Sequence, residues 1–153
     1  MILPVPEEQR STVFLDGLPE ASSEARKAVG RLGRLGAWPD MLFAAQLLTA
    51  ELVVNVLRHA GLPAGQRFPL ILACSAVRAR VEVVDGGPGF DAPAVLRAHG
   101  ESGSSHRGIA LVNSLADRWG YLCEPGGCHV WFEIDLVSGP RPWRGREPVQ
   151  RRV

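Results

Sequence analysis

Lysine is nearly missing from this chain: of its 17 basic residues only Lys27 is a lysine. A phosphate-binding P-loop needs a Gly-Lys-Ser/Thr element, and Lys27 sits in Arg-Lys-Ala, so that class of nucleotide site is excluded. Cysteine is scarce as well. Cys74, Cys123 and Cys128 form neither a CxxC pair nor paired His/Cys clusters, which leaves zinc and redox chemistry with little support. Cys123 and Cys128 flank Glu124-Pro125-Gly126-Gly127, a hairpin-turn sequence that could bring their side chains together; in a reducing cytosol the expectation is two buried thiols. Charge of one sign is lacking too. With a formal net charge of +1 there is no global field to draw in nucleic acid. No stretch approaches about 18 uninterrupted apolar residues, and the start MILPVPEEQRS lacks the basic and apolar regions of a secretory signal. The expectation is a cytoplasmic protein that contacts neither membrane nor nucleic acid directly.

What is present suits one folded domain: 153 residues, 46% hydrophobic and 22% charged, is enough chain to bury a core without staples. Residues 1–11 read as an N-terminal extension and residues 12–137 as the domain. Residues 138–153 read as a solvated basic tail, with Arg141, Arg144, Arg146, Arg151 and Arg152 set against Glu147.

Along the domain, residues 12–15 read as a short strand. Residues 20–35 carry Ala25, Ala28, Val29, Leu32 and Leu35 at helical spacing, weakened by Gly30 and Gly33. Pro39 suits a helix start and Asp40 can cap it. The following helix, residues 41–60, is interrupted only by Gln46, Thr49, Glu51, Asn55, Arg58 and His59, and so must be largely buried. Residues 68–74 and 78–84 read as strands joined by a tight turn, and Arg78, Arg80 and Glu82 give the second a wet face. A brief helix over 91–98, a loop of small and polar residues over 99–106, a helix over 108–116, and a hairpin of strands 120–123 and 129–134 complete the order. That order predicts a two-layer α/β sandwich with a mixed, mostly antiparallel sheet covered on one face by helices.

Three groups of residues can carry chemistry. Glu51 and Asn55 project one turn apart from the same face of the apolar helix, and His59 extends the stripe. A carboxylate that orients a hydroxyl, beside a carboxamide oxygen that can ligate Mg²⁺, suits phosphoryl transfer, though a solvated helix face has the same spacing. In Val-Val-Asp-Gly-Gly-Pro-Gly-Phe, residues 83–90, Asp85 can accept a hydrogen bond from an adenine amino group. Gly87 and Gly89 let backbone approach a flat ring; the alternative is a plain Gly/Pro turn. Gly108 opens a helix whose unpaired N–H groups can bind phosphate, with Arg107 beside it, and an ordinary helix start reads alike.

Taken together and in this order, the segments resemble the GHKL (histidine-kinase-like) ATPases. ELVVNVLRHA is similar to that family's N box, VVDGGPGF to its first glycine box, HRGIALVNSLADRWGY to its second glycine box and following helix, and GGCHVWFEI to its closing strand pair. The short lid and the Leu-Ala-Asp-Arg-Trp-Gly ending are most similar to the anti-sigma-factor serine/threonine kinase branch. The resemblance implies a Bergerat-type fold that binds ATP with Mg²⁺. In it Glu51 is the general base or water-orienting group and Asn55 the Mg²⁺ ligand, Asp85 reads adenine, Gly87 and Gly89 lie against the base, and residues 99–107 form the lid. His59, His106, Arg107, Gly108 and Ile109 complete the expected cofactor-binding set. One departure stands out. His106 occupies a position where the family's second box usually has glycine, and its imidazole either restricts the backbone or contacts phosphate itself. The implied partners are a STAS-type antagonist, a sigma factor and a second copy of the chain. The rival expectation is a non-catalytic adaptor that holds a regulator.

Overall fold

The computed structural model describes residues 9–59, 62–63, 65–86 and 115–136. In chain order the elements are strand β1 (Gln9–Asp16), helix α1 (Ala21–Gly30), a short 3-10 helix (Gly33–Ala37), helix α2 (Pro39–His59), and strands β2 (Arg67–Cys74), β3 (Arg78–Asp85), β4 (Arg118–Glu124) and β5 (Gly127–Asp135). The helices expected over residues 91–98 and 108–116 lie outside the described residues, apart from the last two positions of the second.

Each element follows from its pattern. In α1, Ala21, Ala25, Ala28 and Val29 form a buried stripe at helical spacing. The single helix expected over 20–35 is broken instead. It ends at Gly30, and Gly33 takes φ 46°, a left-handed conformation that a helix interior does not accept. Helix α2 starts at Pro39, whose fixed φ and missing N–H suit the first helical position. Asp40, expected as the cap, lies inside the first turn, where its charge favours the positive end of the helix dipole. Met41, Ala45, Leu48, Leu52 and Val56 recur every three or four residues and are buried. By length and composition alone Pro39–Arg58, with mean hydropathy 1.5, would also pass for a membrane-crossing helix. Its buried stripe joins the core shared with the sheet, which accounts for its apolar character.

Four antiparallel pairings place the five strands in the order β1-β2-β3-β5-β4. The sheet, expected from the sequence to be mixed and mostly antiparallel with helices on one face, is antiparallel in all four pairings among the described strands. The connection after β3 carries the chain past one position to β4, and the β4–β5 hairpin then folds β5 back between them, antiparallel to both. Alternation sorts the side chains. Phe68, Leu70 and Leu72, Ala79, Val81 and Val83, and Val130, Phe132 and Ile134 face the helices with Leu15 and Trp119. Trp119 is 1% exposed and Phe132 fully buried; truncating either to alanine would cost about 3–5 kcal/mol.

The hairpin corrects the reading of its cysteines. Pro125 and Gly126 form a two-residue turn, Glu124 pairs with Gly127, and Cys123 stands directly opposite Cys128. Their Cα atoms are 4.1 Å apart and the two sulfurs are joined as a disulfide. Cys128 is buried and Cys123 exposed, so the pair is not two buried thiols. The tight turn decides this by fixing the register.

Candidate functional site

The inner, helix-facing layer contains few polar groups. Only Thr49, Asn55 and Asp85 are buried polar residues among those described. The Thr49 hydroxyl donates to the Ala45 carbonyl at 2.7 Å, a bond within its own helix. Asn55 differs. It is 3% exposed, and its amide nitrogen has no hydrogen-bond partner among the described residues. Leaving a buried amide group unsatisfied costs about 1–3 kcal/mol. Glu51, one helical turn earlier, is half-buried. The backbone of His59 closes α2, and its side chain lies outside the described residues.

Asp85 is the last residue of β3. It continues the inward parity of Ala79, Val81 and Val83, which puts a carboxylate, 2% exposed, at the end of an otherwise apolar row. Helix α2 packs against β3, so the structure brings Glu51, Asn55 and Asp85 to the same side of the sheet. Gly87, Gly89, His106, Arg107, Gly108, Ile109 and the lid, residues 99–107, lie outside the described residues.

Two further residues belong to this end of the sheet, and sequence reasoning passed over both. Gly127 has φ 147°, and a Cβ built there would overlap the carbonyl oxygen of Asp85. The β4–β5 turn therefore rests directly on the end of β3, an approach only glycine allows. Cys128 follows it and is the register partner of Asp85. The paired glycines at 126 and 127 were the available signal, but they read only as a turn.

The outer face is built of ion pairs. Arg118 donates from Nε to Glu133 at 2.7 Å and grips Asp135 with its other nitrogens. Arg80 reaches Glu133 at 3.1 Å and Glu82 at 3.3 Å, and its guanidinium lies 4.2 Å from the centre of the Trp131 ring. Arg78 meets Asp135 at 3.2 Å, and His129 Nδ1 meets Glu82 at 2.7 Å. Burial pushes Glu133 and Asp135 up, but the arginine hydrogen bonds outweigh it and hold both carboxyls below their ordinary values. The Asp135 hydrogen bond raises Arg118 in turn. This set is saturated, which marks it as structural. A cavity of about 450 Å³ between β1 and α1, lined by Ser11, Val13, Lys27, Arg31 and Leu72 among others, contains none of the candidate residues.

In the two-layer sandwich a buried carboxylate closes β3, and on α2 a buried amide nitrogen has no hydrogen-bond partner among the described residues. Residues 15–134 match the family described as the histidine kinase-like ATPase domain, and the chain belongs to that family. Membership points to ATP as the ligand. No match to a curated protein was found.

Proposed function

We propose that this protein is a Mg-ATP-binding regulator of the anti-sigma-factor kinase type, which transfers the γ-phosphate to a serine or threonine of a STAS-type antagonist and alternately sequesters a sigma factor. The observation that carries the nucleotide half of this reading is the amide nitrogen of Asn55, in a side chain 3% exposed and without a hydrogen-bond partner among the described residues. A group kept buried and unsatisfied has hydrogen-bonding capacity to spend on a ligand. A carboxamide offers an oxygen to a divalent ion and N–H donors to phosphate. Mg²⁺ fits such a site because it is held by one or two protein groups together with substrate phosphates. Among the described residues no cluster of three or more His, Cys, Asp and Glu side chains offers an all-protein cage instead. When bound with the nucleotide, Mg²⁺ would neutralise charge on the phosphates.

In the proposed reaction the antagonist's hydroxyl oxygen forms a bond to the γ-phosphorus, the bond to ADP breaks, and the hydroxyl proton passes to the carboxylate of Glu51. Asp85 accepts a hydrogen bond from the adenine amino group, and Gly87 and Gly89 border the base. His59, His106, Arg107, Gly108 and Ile109 serve the phosphates. Phosphorylation would add roughly 1.5 to 2 negative charges to the antagonist, enough to break an interface by repulsion and desolvation. A cytoplasmic location and a homodimer belong to the same reading.

Calorimetric titration with ATP and ADP, with and without Mg²⁺, tests the site. Binding lost in Asp85→Asn, and Mg²⁺ dependence lost in Asn55→Ala, are the expected results; absence of binding in the wild-type chain would refute it. Transfer of labelled γ-phosphate to candidate antagonists tests the kinase step. His106, where the family's second box usually has glycine, favours a second reading, a non-catalytic adaptor. Under that reading Glu51→Ala leaves regulation intact, whereas a kinase loses switching.

A further inference from the structure

We propose that Cys123 and Cys128 form a reversible redox modification site, and that its state controls the nucleotide site by positioning the β4–β5 turn against Asp85. The inference rests on the reading of Asp85 as the base-recognising residue. Three observations converge on it. The two cysteines are direct partners across the hairpin, with Cα atoms 4.1 Å apart. Their burial is asymmetric: Cys123 is exposed, whereas Cys128 is 2% exposed. Finally, Cys128 is the register partner of Asp85, and its neighbour Gly127 sits so close to the Asp85 carbonyl that no side chain fits between them. A change in how the turn closes is thus delivered to the strand end that carries the buried carboxylate.

The chemistry is thiol–disulfide exchange with a low-molecular-weight thiol. A thiolate attacks the exposed sulfur of Cys123, the Cys123–Cys128 bond breaks, and Cys128 leaves as a thiolate that takes up a proton. A second thiolate then attacks the small molecule's sulfur in the mixed disulfide, releasing Cys123 as a thiolate that is protonated in turn. The protein gains two electrons and two protons, and the small thiols leave as their own disulfide. Exposed disulfides are the labile ones, and in a reducing compartment such bonds act as sensors more often than as staples. Cys74 stands apart. It is a buried free thiol whose pKa burial pushes up, which keeps it unreactive.

Oxidised, the disulfide clamps the turn on β3; reduced, only the two-residue turn and the ladder hold it. The test uses the full chain equilibrated in graded mixtures of reduced and oxidised dithiothreitol. Mass spectrometry reads the thiol state, hydrogen exchange reads the backbone around Asp85, Gly86 and Gly127, and calorimetry reads ATP affinity. The expected result is an exchange increase confined to that strand end on reduction, with a change in ATP Kd of at least about fivefold. The double variant Cys123→Ser, Cys128→Ser should lose the response to the redox mixture. Failure of the bond to form at any ratio, or identical exchange and identical Kd in both states, overturns the proposal. If ATP binds in neither state, the reading of Asp85 fails and the affinity effect with it; the exchange data then decide independently whether the cysteine pair moves the turn.

Discussion

On the outer face of the sheet, Arg78, Arg80 and Arg118 meet Glu82, Glu133 and Asp135 in a set of ion pairs, whereas on the helix side the buried amide nitrogen of Asn55 has no partner among the described residues. Charges half in water have partners, and a neutral N–H group taken out of water has none among the described residues. Stability alone would produce the reverse, because the cost of an unmet hydrogen bond rises with burial. The difference separates two kinds of polar residue. The outer set holds the edge hairpin to β3, and under the proposed function the inner amide is kept at a cost for the nucleotide.

Four changes would break or sharpen that contrast. The largest effect should come from Asp85→Asn, which replaces an acceptor-only carboxylate with a group that also donates; ATP affinity should fall at least about a hundredfold, close to 3 kcal/mol, by calorimetry. An unchanged Kd would move the base-recognising role elsewhere. Next is Arg118→Ala, which leaves Glu133 and Asp135 half-buried with fewer partners. We expect a loss of about 1–3 kcal/mol in urea unfolding, with ATP binding nearly unchanged. If affinity collapsed while the fold held, the outer face would not be merely structural.

Asn55→Leu should act in the opposite sense on the fold. Removing an unsatisfied amide without leaving a hole should keep stability constant or raise it by about 1 kcal/mol in the same urea experiment, while Mg²⁺-dependent ATP binding disappears. A marked destabilisation would show that the amide supports the fold. The smallest effect concerns pH. Glu133 and Asp135 have folded-state pKa values below those of the unfolded chain, so their contribution is present above about pH 4 and is lost as pH falls through the lowered values. Stability, followed by unfolding from pH 6 downward, should therefore fall below about pH 4. Glu133→Gln should flatten that slope, and an equal slope in the variant would assign acid sensitivity to other groups.

The candidate residues were legible because they interrupt a pattern. Glu51 and Asn55 stand out on a helix that is otherwise apolar, and Asp85 stands out at the end of an alternating strand. Strand ends were less legible: β1 begins at Gln9 rather than residue 12, because pairing with β2 continues through Gln9 opposite Cys74 after hydrophobic alternation has faded. The break of the first helix was signalled by Gly30 and Gly33, but propensity gives only a cost, and the left-handed φ of Gly33 turns that cost into an end.

By itself the sequence determined the layers, since the period of its apolar residues decides which segments become helix or strand and which face each one buries. It also placed an amide and two carboxylates where they interrupt those faces. Tertiary structure alone decided that β5 lies between β3 and β4, that Cys123 meets Cys128, that Gly127 rests on Asp85, and that the Asn55 amide nitrogen is buried without a partner among the described residues. Each depends on the meeting of residues distant in sequence or on the register of a turn, and periodicity within a segment contains no information about either.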